Sequence, residues 1–168
     1  MAAFHYQDPI NNLIAAIKTN PHAAELPQLS GLLATTITDR YQATDLPQIV
    51  IPLPLHWRKL TRRGFNQSYS IARVLCQKLP GTELRSDICY RRTYSAPQHL
   101  QGKPQRLSFM RNAFAVHKPI DGRSVAIVDD VVTTKATAIA AASSLIKAGA
   151  GSVDIWCIAR TGWHITAT

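Results

Sequence analysis

The amino-acid sequence predicts an α/β protein in which helices cover both faces of an open, mostly parallel, twisted sheet. Apolar runs at 125–128 and 153–158 have the length and composition of buried strands, and between them lies a predicted helix at 137–147 that ends at Gly149. Two buried strands joined by a helix run parallel, through a right-handed crossover. The ligand crevice of such a sheet lies outside the carboxyl ends of its strands. Binding residues are therefore expected where these strands end.

The first 44 residues are predicted to form a helical segment, 1–44, that precedes a core at 45–161. The chain of 168 residues is long enough to bury one core, so a single domain at 1–168 is expected. The two predicted helices each carry apolar residues on one face and are separated by Pro21 and Pro27. These faces consist of Ile10, Leu13, Ile14 and Ile17 in the first helix and Leu29, Leu32, Leu33 and Ile37 in the second.

The middle of the chain alternates short predicted elements with loops. A strand within 45–55 ends at two prolines, and a basic loop at 56–67 has Gly64 as its hinge. The next helix starts at Asn66, a residue type that often caps helix N-termini. The polar segment 93–112 shows no helical or strand period and is predicted to be a long loop that is either functional, as a lid over a site, or disordered. In the last predicted helix, the residues expected to face inward are Ile139, Ala142 and Ile146.

Positive charge is concentrated in the middle of the chain. The protein has a net charge of +9, and residues 46–120 hold 13 of its 19 Lys and Arg residues but only two acids, Glu83 and Asp87, which makes that segment +11. Such segregation favours a phosphate-rich partner, either a nucleic acid or a polyphosphorylated metabolite. The alternative is a basic surface that serves only solubility.

The cysteines are spaced too widely for a zinc ribbon or for the disulfide framework of a small secreted protein. There are three of them, Cys76, Cys89 and Cys157. A reducing compartment, the cytoplasm, is therefore the expected location. The longest apolar run near the N-terminus, 13–17, is too short for a signal peptide or a membrane span, so no membrane insertion is expected.

The segment SVAIVDDVVTTKAT (124–137) places Asp129 and Asp130 at the end of a predicted strand, and the turn at 131–136 leads into a helix N-terminus. The free N–H groups and the dipole of such a terminus favour an anion. Threonine hydroxyls can donate to phosphate, while the carboxylates can accept from sugar hydroxyls or hold Mg²⁺, directly or through water. A ribose phosphate suits both features; the alternative is an acidic pair that only caps the helix. The residues predicted to bind phosphate are Val131, Thr133, Thr134, Lys135, Ala136 and Thr137.

Several segments together resemble a known family. The sequence IVDDVVTT, followed by a small residue and Thr137, is similar to the phosphoribosyl pyrophosphate (PRPP) signature of type I phosphoribosyltransferases. The segments PLPLHWRKLTRRGFNQS (52–68), RNAF (111–114) and CIART (157–161) narrow this further. Together with the segment from Arg92 to Arg106, they resemble the ComF/ComFC family, also called GntX-like, of competence-associated phosphoribosyltransferase homologues.

The resemblance implies a type I phosphoribosyltransferase-like fold that binds PRPP or another ribose phosphate. In that family pattern, Asp129 and Asp130 meet the ribose hydroxyls as catalytic residues and 133–137 holds the 5′-phosphate. Mg²⁺ is held through the ligand rather than by a protein ligand set, with direct contact to the two aspartates left open. The implied pyrophosphate loop contains Arg58, Arg62, Arg63 and Gly64. The implied flexible loop, which closes over PRPP, contains Arg92, Thr93, Gln98 and Arg106.

The same resemblance implies a role in natural transformation and in the handling of incoming single-stranded DNA, with a competence helicase or recombination proteins as partners. The basic middle segment suits such a role because aromatic residues for base stacking lie among its arginines. Whether the protein is an enzyme stays open. It is expected to be a phosphoribosyltransferase, a non-catalytic single-stranded DNA-binding adaptor with a degenerate PRPP site, or a nucleobase-salvage phosphoribosyltransferase.

The sequence departs from the family pattern in two places. Many members begin with a cysteine-rich zinc module, and this sequence starts just after the point where that module would end, so no zinc site is predicted. Lys135 stands where the PRPP signature has glycine. Glycine there permits a positive φ, and a lysine in that conformation costs about 1 kcal/mol. Either the Lys135 ammonium compensates by contacting the phosphate, or the side chain fills a site that is no longer used.

Overall fold

A computed structural model of the protein describes residues 1–41, 45–92, 113–133 and 135–162. The described residues form seven strands and five helices. In chain order these are β1 (Ala2–His5), α1 (Ile10–Thr19), α2 (Glu25–Arg40), β2 (Ile49–Pro52), α3 (Trp57–Arg63), α4 (Gln67–Lys78), β3 (Glu83–Leu84), β4 (Cys89–Arg91), β5 (Phe114–Val116), β6 (Ser124–Val132), α5 (Lys135–Lys147) and β7 (Ser152–Arg160).

Five strands form one sheet in the order β1-β7-β6-β2-β3. All four neighbouring pairs in this sheet are parallel, and β6 lies at its centre, between β7 and β2. Strands β4 and β5 form a separate antiparallel pair. The predicted parallel sheet and the strand-helix-strand unit at its centre are therefore confirmed.

Helices cover both faces of the sheet, as predicted. On one face, α1, α2 and α4 pack over Val128 and Trp156 through buried residues that include Ile14, Leu33 and Leu75. On the other face, α5 and the β4–β5 pair pack over residues such as Ile51 and Ile127 of β2 and β6. Central parallel strands must bury both faces, which explains their continuous apolar runs. None of the helices in the described ranges is both long enough and apolar enough to cross a membrane.

The N-terminal segment contributes more than helices. Both predicted helices are confirmed as α1 and α2, but Pro27 lies inside α2 rather than between the helices, and Leu32 of the predicted apolar face is 53% exposed. Residues 2–5 also form an edge strand that pairs with β7, for example Ala2 with Cys157. The helix-only description of 1–44 is therefore incomplete. A four-residue edge strand carries no readable period of its own, because its conformation depends on the strand beside it.

The predicted basic loop at 56–67 is wrong, because residues 57–63 form helix α3. His56 caps its N-terminus, where its Nδ1 accepts a hydrogen bond from the backbone N–H of Arg58 at 3.2 Å. Burial, with the charges of Arg58 and Arg91, lowers the pKa of His56, so the ring stays neutral and able to accept. Gly64 ends the helix in the left-handed conformation, with φ +80°.

The predicted inward face of α5 is also wrong at two positions. Ile139 and Ile146 are exposed, and the buried residues of α5 are instead Ala138, Ala140, Ala141 and Leu145. The small alanine side chains let the helix backbone approach the sheet closely, whereas isoleucines on that side would hold it away. The helix itself begins at residue 135, two residues earlier than predicted.

Replacement of Gly151 by alanine is expected to lower the free energy of unfolding by about 1 to 2 kcal/mol. A Cβ at this position would lie 2.2 Å from the carbonyl oxygen of Gly122, and backbone cannot yield as a side chain can. Gly31→Ala in α2 is the matched control, since a Cβ there meets only Lys78 Cε at an ordinary 3.7 Å. The control should gain stability, because alanine is the better helix former. Urea unfolding of both variants checks this, and equal stabilities would contradict the predicted clash.

Candidate functional site

The candidate site lies at the carboxyl end of the central strand β6. Asp129 and Asp130 are the sixth and seventh residues of this strand, which continues to Val132. The strand is longer than predicted because β7 runs beside it to the same level, with Val132 opposite Arg160. The turn that follows β6 leads directly into α5. The acidic pair and the predicted phosphate turn therefore lie where an α/β sheet binds its ligands.

Asp129 is held from the side of α4. Its Oδ1 accepts hydrogen bonds from Ser68 Oγ at 3.1 Å and from the backbone N–H of Asp130 at 2.9 Å. Asn66 positions Ser68: its Oδ1 caps α4 by accepting from the Ser68 N–H at 3.1 Å, and its Nδ2 donates to the carbonyl of Leu53 at 3.2 Å. The start of α4 therefore contacts the acidic pair through Ser68.

Asp130 is held from the side of α1. Its Oδ1 accepts a hydrogen bond from the backbone N–H of Val131 at 2.6 Å, and its Oδ2 lies 3.5 Å from Lys18 Nζ. Asp130 is buried, with 13% of its side chain exposed, whereas the Lys18 side chain is 32% exposed. The last turn of α1 therefore brings a cation to the edge of the crevice.

The charges of Asp129 and Asp130 repel each other. Burial, and next the charge of Asp130, raise the pKa of Asp129 well above its usual range. The hydrogen bonds from the Asp130 N–H and from Ser68, and the charge of Lys18, oppose this rise. Arg91 lies at the end of β4. Burial lowers the pKa of its guanidinium, and the charge of Asp129 opposes this. A half-buried and a buried carboxylate side by side gain from any ligand that brings hydrogen-bond donors or positive charge.

The turn after β6 is tied to the end of β7. Thr161 donates from its N–H to the carbonyl of Val132 at 3.2 Å and from its Oγ1 to the carbonyl of Thr133 at 2.9 Å. Thr134, which we predicted to bind phosphate, lies outside the described residues. Ala136 and Thr137 lie in the first turn of α5, as a phosphate site at the helix N-terminus requires.

Lys135, which stands where the PRPP signature has glycine, is the first residue of α5. A helical residue has a right-handed backbone, so the expected left-handed conformation, with its cost, is not observed at Lys135. Its side chain is exposed and lines a pocket of about 830 Å³ beside the turn. Thr133, Arg160 and Thr161 line the same pocket, whose floor is apolar and includes Ile139 and Ile155.

The predicted pyrophosphate loop lies on and after α3. Arg58 and Arg62 are exposed, Arg63 is half-buried, and Gly64 ends the helix. Of the predicted flexible-loop residues, Arg92 follows β4 and is exposed, whereas Thr93, Gln98 and Arg106 lie outside the described residues. Four further residues at this edge were missed by sequence reasoning: Lys18, Ser68, Arg91 and Thr161. Only Ser68 had a local signal, because it follows an evident N-cap.

The carboxylates suit Mg²⁺ that arrives with a phosphorylated ligand. Among the described residues, no group of three or more His, Cys, Asp or Glu side chains is placed to hold a metal ion. Asp129 and Asp130 can supply two carboxylate groups, and Mg²⁺ is commonly bound by one or two carboxylates together with substrate phosphates and water. The residues present therefore fit Mg²⁺ as a companion of the ligand.

No protein-family model matches this chain. The chain is, however, 35% identical over 161 residues to the DNA utilization protein YhgH of Escherichia coli (strain K12), an alignment that covers 93% of this chain and 69% of that protein. It is 32% identical to Competence protein F of Haemophilus influenzae, over 93% of this chain and 70% of the relative. The chain belongs to the ComF competence family.

Solved structures show which fold this ComF-family chain has. An alanine mutant from an analysis of an invariant aspartic acid in HPRTs matches with a TM-score of 0.52 and 17% identity, over 86% of this chain and 73% of that one. A hypoxanthine phosphoribosyl transferase of Trypanosoma cruzi matches with a TM-score of 0.52 and 16% identity, over 85% and 69% of the two chains. The ComF-family chain therefore has the type I phosphoribosyltransferase fold, as the PRPP-like signature implied.

Proposed function

We propose that this ComF-family protein binds PRPP or another ribose 5-phosphate at the end of β6, as a phosphoribosyltransferase-like protein. One observation carries the proposal: Asp129, which is half-buried, and Asp130, which is buried, are held by Ser68 and Lys18 near the end of β6, and the turn after this strand opens helix α5. Ribose hydroxyls can donate to Asp129 and Asp130 while the N-terminus of α5 binds the 5′-phosphate. The raised pKa of Asp129 supports this, since such hydroxyl donors would stabilise its charged form.

Transfer of the phosphoribosyl group requires departure of pyrophosphate from C1 of the ribose. Mg²⁺, when bound, neutralises charge that develops on the pyrophosphate. The chain's own residues position the sugar: Asp129 and Asp130 orient its hydroxyls, and Thr133 with the first turn of α5 fixes its phosphate. Arg58, Arg62 and Arg63 are the proposed cations for the pyrophosphate.

Thermal unfolding with PRPP and Mg²⁺ tests the proposal. PRPP should raise the melting temperature of the wild-type protein, because a ligand that binds only the folded state stabilises it. Asp130→Asn should lose most of that shift, and the exposed Asp39→Asn should keep it. A wild-type protein that PRPP and ribose 5-phosphate both fail to stabilise would exclude a working ribose-phosphate site.

Substitutions of Lys135 distinguish a site that binds PRPP from one that no longer does. We infer that its ammonium contacts the phosphate, because the side chain shares its pocket with Arg160 and Thr133. Lys135→Ala is then expected to weaken PRPP binding about tenfold, as for loss of a hydrogen bond to a charged group. Titration calorimetry of Lys135→Ala and Lys135→Gly measures this. Tighter binding by Lys135→Gly than by the wild type would support the decayed-site interpretation instead.

A second proposal is that the protein handles incoming single-stranded DNA in natural transformation, as a cytoplasmic partner of a competence helicase or recombination protein. The observation that favours it is α3, which has no buried residue and carries four cations, Arg58, Lys59, Arg62 and Arg63. The printed names of the relatives, which refer to DNA utilization and competence, agree with it. This function does not require catalysis, so an adaptor without transferase activity would also satisfy it.

Filter binding of single-stranded DNA at increasing salt concentration tests the second proposal. Each phosphate contact should contribute about −0.7 to the slope of log affinity against log salt concentration. An affinity that does not respond to salt would contradict a phosphate-binding surface on α3.

A further inference from the structure

Helix α3 exposes large apolar side chains that a surface helix usually buries. Trp57 is 62% exposed and Leu60 is 42% exposed, and Tyr69, on the first turn of α4, is 41% exposed. Burial of these side chains against a partner would be favourable, because it removes apolar surface from water. Their exposure beside four cations of α3 marks this surface as an interface rather than an ordinary solvated face.

A pocket of about 410 Å³ lies between α3, the start of α4 and the beginning of β4. Three aromatic rings contribute to its wall, those of Phe65, Tyr69 and Tyr90, and the hydroxyls of Ser70 and Ser86 add polar groups. The rest of its lining is mostly apolar and includes Leu60 and two prolines, Pro52 and Pro54. A flat aromatic group could therefore stack in this pocket and still find hydrogen-bond partners.

Guanidinium groups lie close to two aromatic rings of this surface, that of Trp57 on α3 and that of Tyr90, which lines the pocket. Arg58 Cζ is 5.3 Å from the ring centroid of Trp57. Arg92 Cζ is 5.8 Å from the ring centroid of Tyr90, and Arg92 Nε donates to the Tyr90 hydroxyl at 3.3 Å. Rings that alternate with arginines suit a strand whose bases stack and whose phosphates pair with the cations.

The two acids of the basic segment lie near this surface but are already paired. Asp87 accepts from Arg85 Nε at 2.8 Å and forms an ion pair with Lys118, and Glu83 lies 2.9 Å from Arg123 Nη1. Glu83 also lies 3.2 Å from Arg85 Nη1. Their charges are therefore neutralised by neighbours other than the arginines of α3, which leaves the field around the pocket positive.

We propose that this pocket binds one unpaired nucleobase of a single strand, whose flanking phosphates lie on the cations of α3. The inference rests on the proposed DNA-handling function and names the group that the surface takes. A duplex keeps its bases stacked and paired, so only an unpaired base can enter. The positive rim favours a polyanionic strand over the apolar side chain of a protein partner.

Fluorescence anisotropy with a short labelled oligothymidylate, and with the same oligomer carrying abasic sites, tests the proposal. Tyr69→Ala is expected to weaken binding of the oligothymidylate about tenfold, the usual loss for one stacked base, and to leave binding of the abasic oligomer unchanged. Tyr69→Phe keeps the ring and should bind as the wild type does. Because Tyr69 is exposed, these changes should not unfold the protein.

Arg62→Gln separates the pocket from the cationic surface. It should weaken binding of both oligomers equally and reduce the salt slope by about 0.7. The inference is overturned if Arg62→Gln has this effect while Tyr69→Ala binds as the wild type does. In that case the strand contacts α3 without a base in the pocket, and a protein partner becomes the candidate occupant. If the wild-type protein binds neither oligomer, the DNA-handling function itself fails. Equal affinity for duplex DNA also overturns the inference.

Discussion

Asp129→Asn is expected to stabilise the ligand-free protein at pH 8 by about 4 kcal/mol while abolishing its stabilisation by PRPP. Burial and the charge of Asp130 raise the pKa of Asp129 in the folded state to about 7. The unfolded chain therefore releases this proton at a lower pH than the folded protein does. Stability is lost as pH rises from the ordinary carboxyl value of about 4 through the raised value. A neutral asparagine avoids that loss and can still accept from Ser68.

Thermal unfolding at pH 4 and pH 8 measures this effect. The gain from Asp129→Asn should be present at pH 8 and close to zero at pH 4, where Asp129 is already protonated in the folded protein. Asp39→Asn, an exposed residue in the last turn of α2, should give the same small change at both values. An equal gain at both pH values would show that the ionised carboxylate is not the destabilising feature. A pair of carboxylates that lowers the stability of the folded protein is typical of functional sites.

Lys18→Met is expected to lower the free energy of unfolding by about 2 kcal/mol at pH 7, because it leaves the buried carboxylate of Asp130 without its cation. The methionine keeps the length of the apolar stem, so packing of α1 on the sheet should be preserved. The Asp130 Oδ1 hydrogen bond from Val131 remains in the variant. Urea unfolding provides the measurement.

A double-mutant cycle separates the ion pair from other effects of the substitution. In the Asp130→Asn background, Lys18→Met should cost about 1 kcal/mol instead of about 2 kcal/mol, and the difference is a coupling energy of about 1 kcal/mol. Lys18→Arg should retain most of the wild-type stability, since it keeps a charge. A coupling energy near zero would mean that the 3.5 Å contact behaves as an exposed surface pair.

The central strands and the helix between them were predictable because a strand that is buried on both faces has a run of apolar residues in the sequence. Strands β6 and β7 are nearly continuous apolar runs, and α4 begins at a residue with a capping side chain, Asn66. The strand ends were less predictable. Asp129 and Asp130 belong to β6 itself because β7 pairs with Asp129 and with Val131 and Val132 beyond the acidic pair, and this pairing is not a local property.

Helix α3 and the buried face of α5 show where local patterns failed. The α3 segment buries no apolar side chain, and its helix depends on the His56 cap and on Gly64 at its end. In α5, hydrophobicity alone predicts that the isoleucines face inward. The alanines face the sheet instead, because small side chains allow the helix to pack close to it. Packing distance is set by both partners and cannot be read from one of them.

The sequence by itself determined that the acidic pair and the predicted phosphate turn are adjacent, because both lie within one contiguous segment of the chain. Only the tertiary structure decided what surrounds that pair: Lys18 from α1, Ser68 from α4 and Arg91 from β4. It also decided that Lys135 opens a helix instead of taking the left-handed conformation. The physical reason is that contacts between residues distant in sequence depend on how helices pack on the sheet, and they produce no periodic signal along the chain.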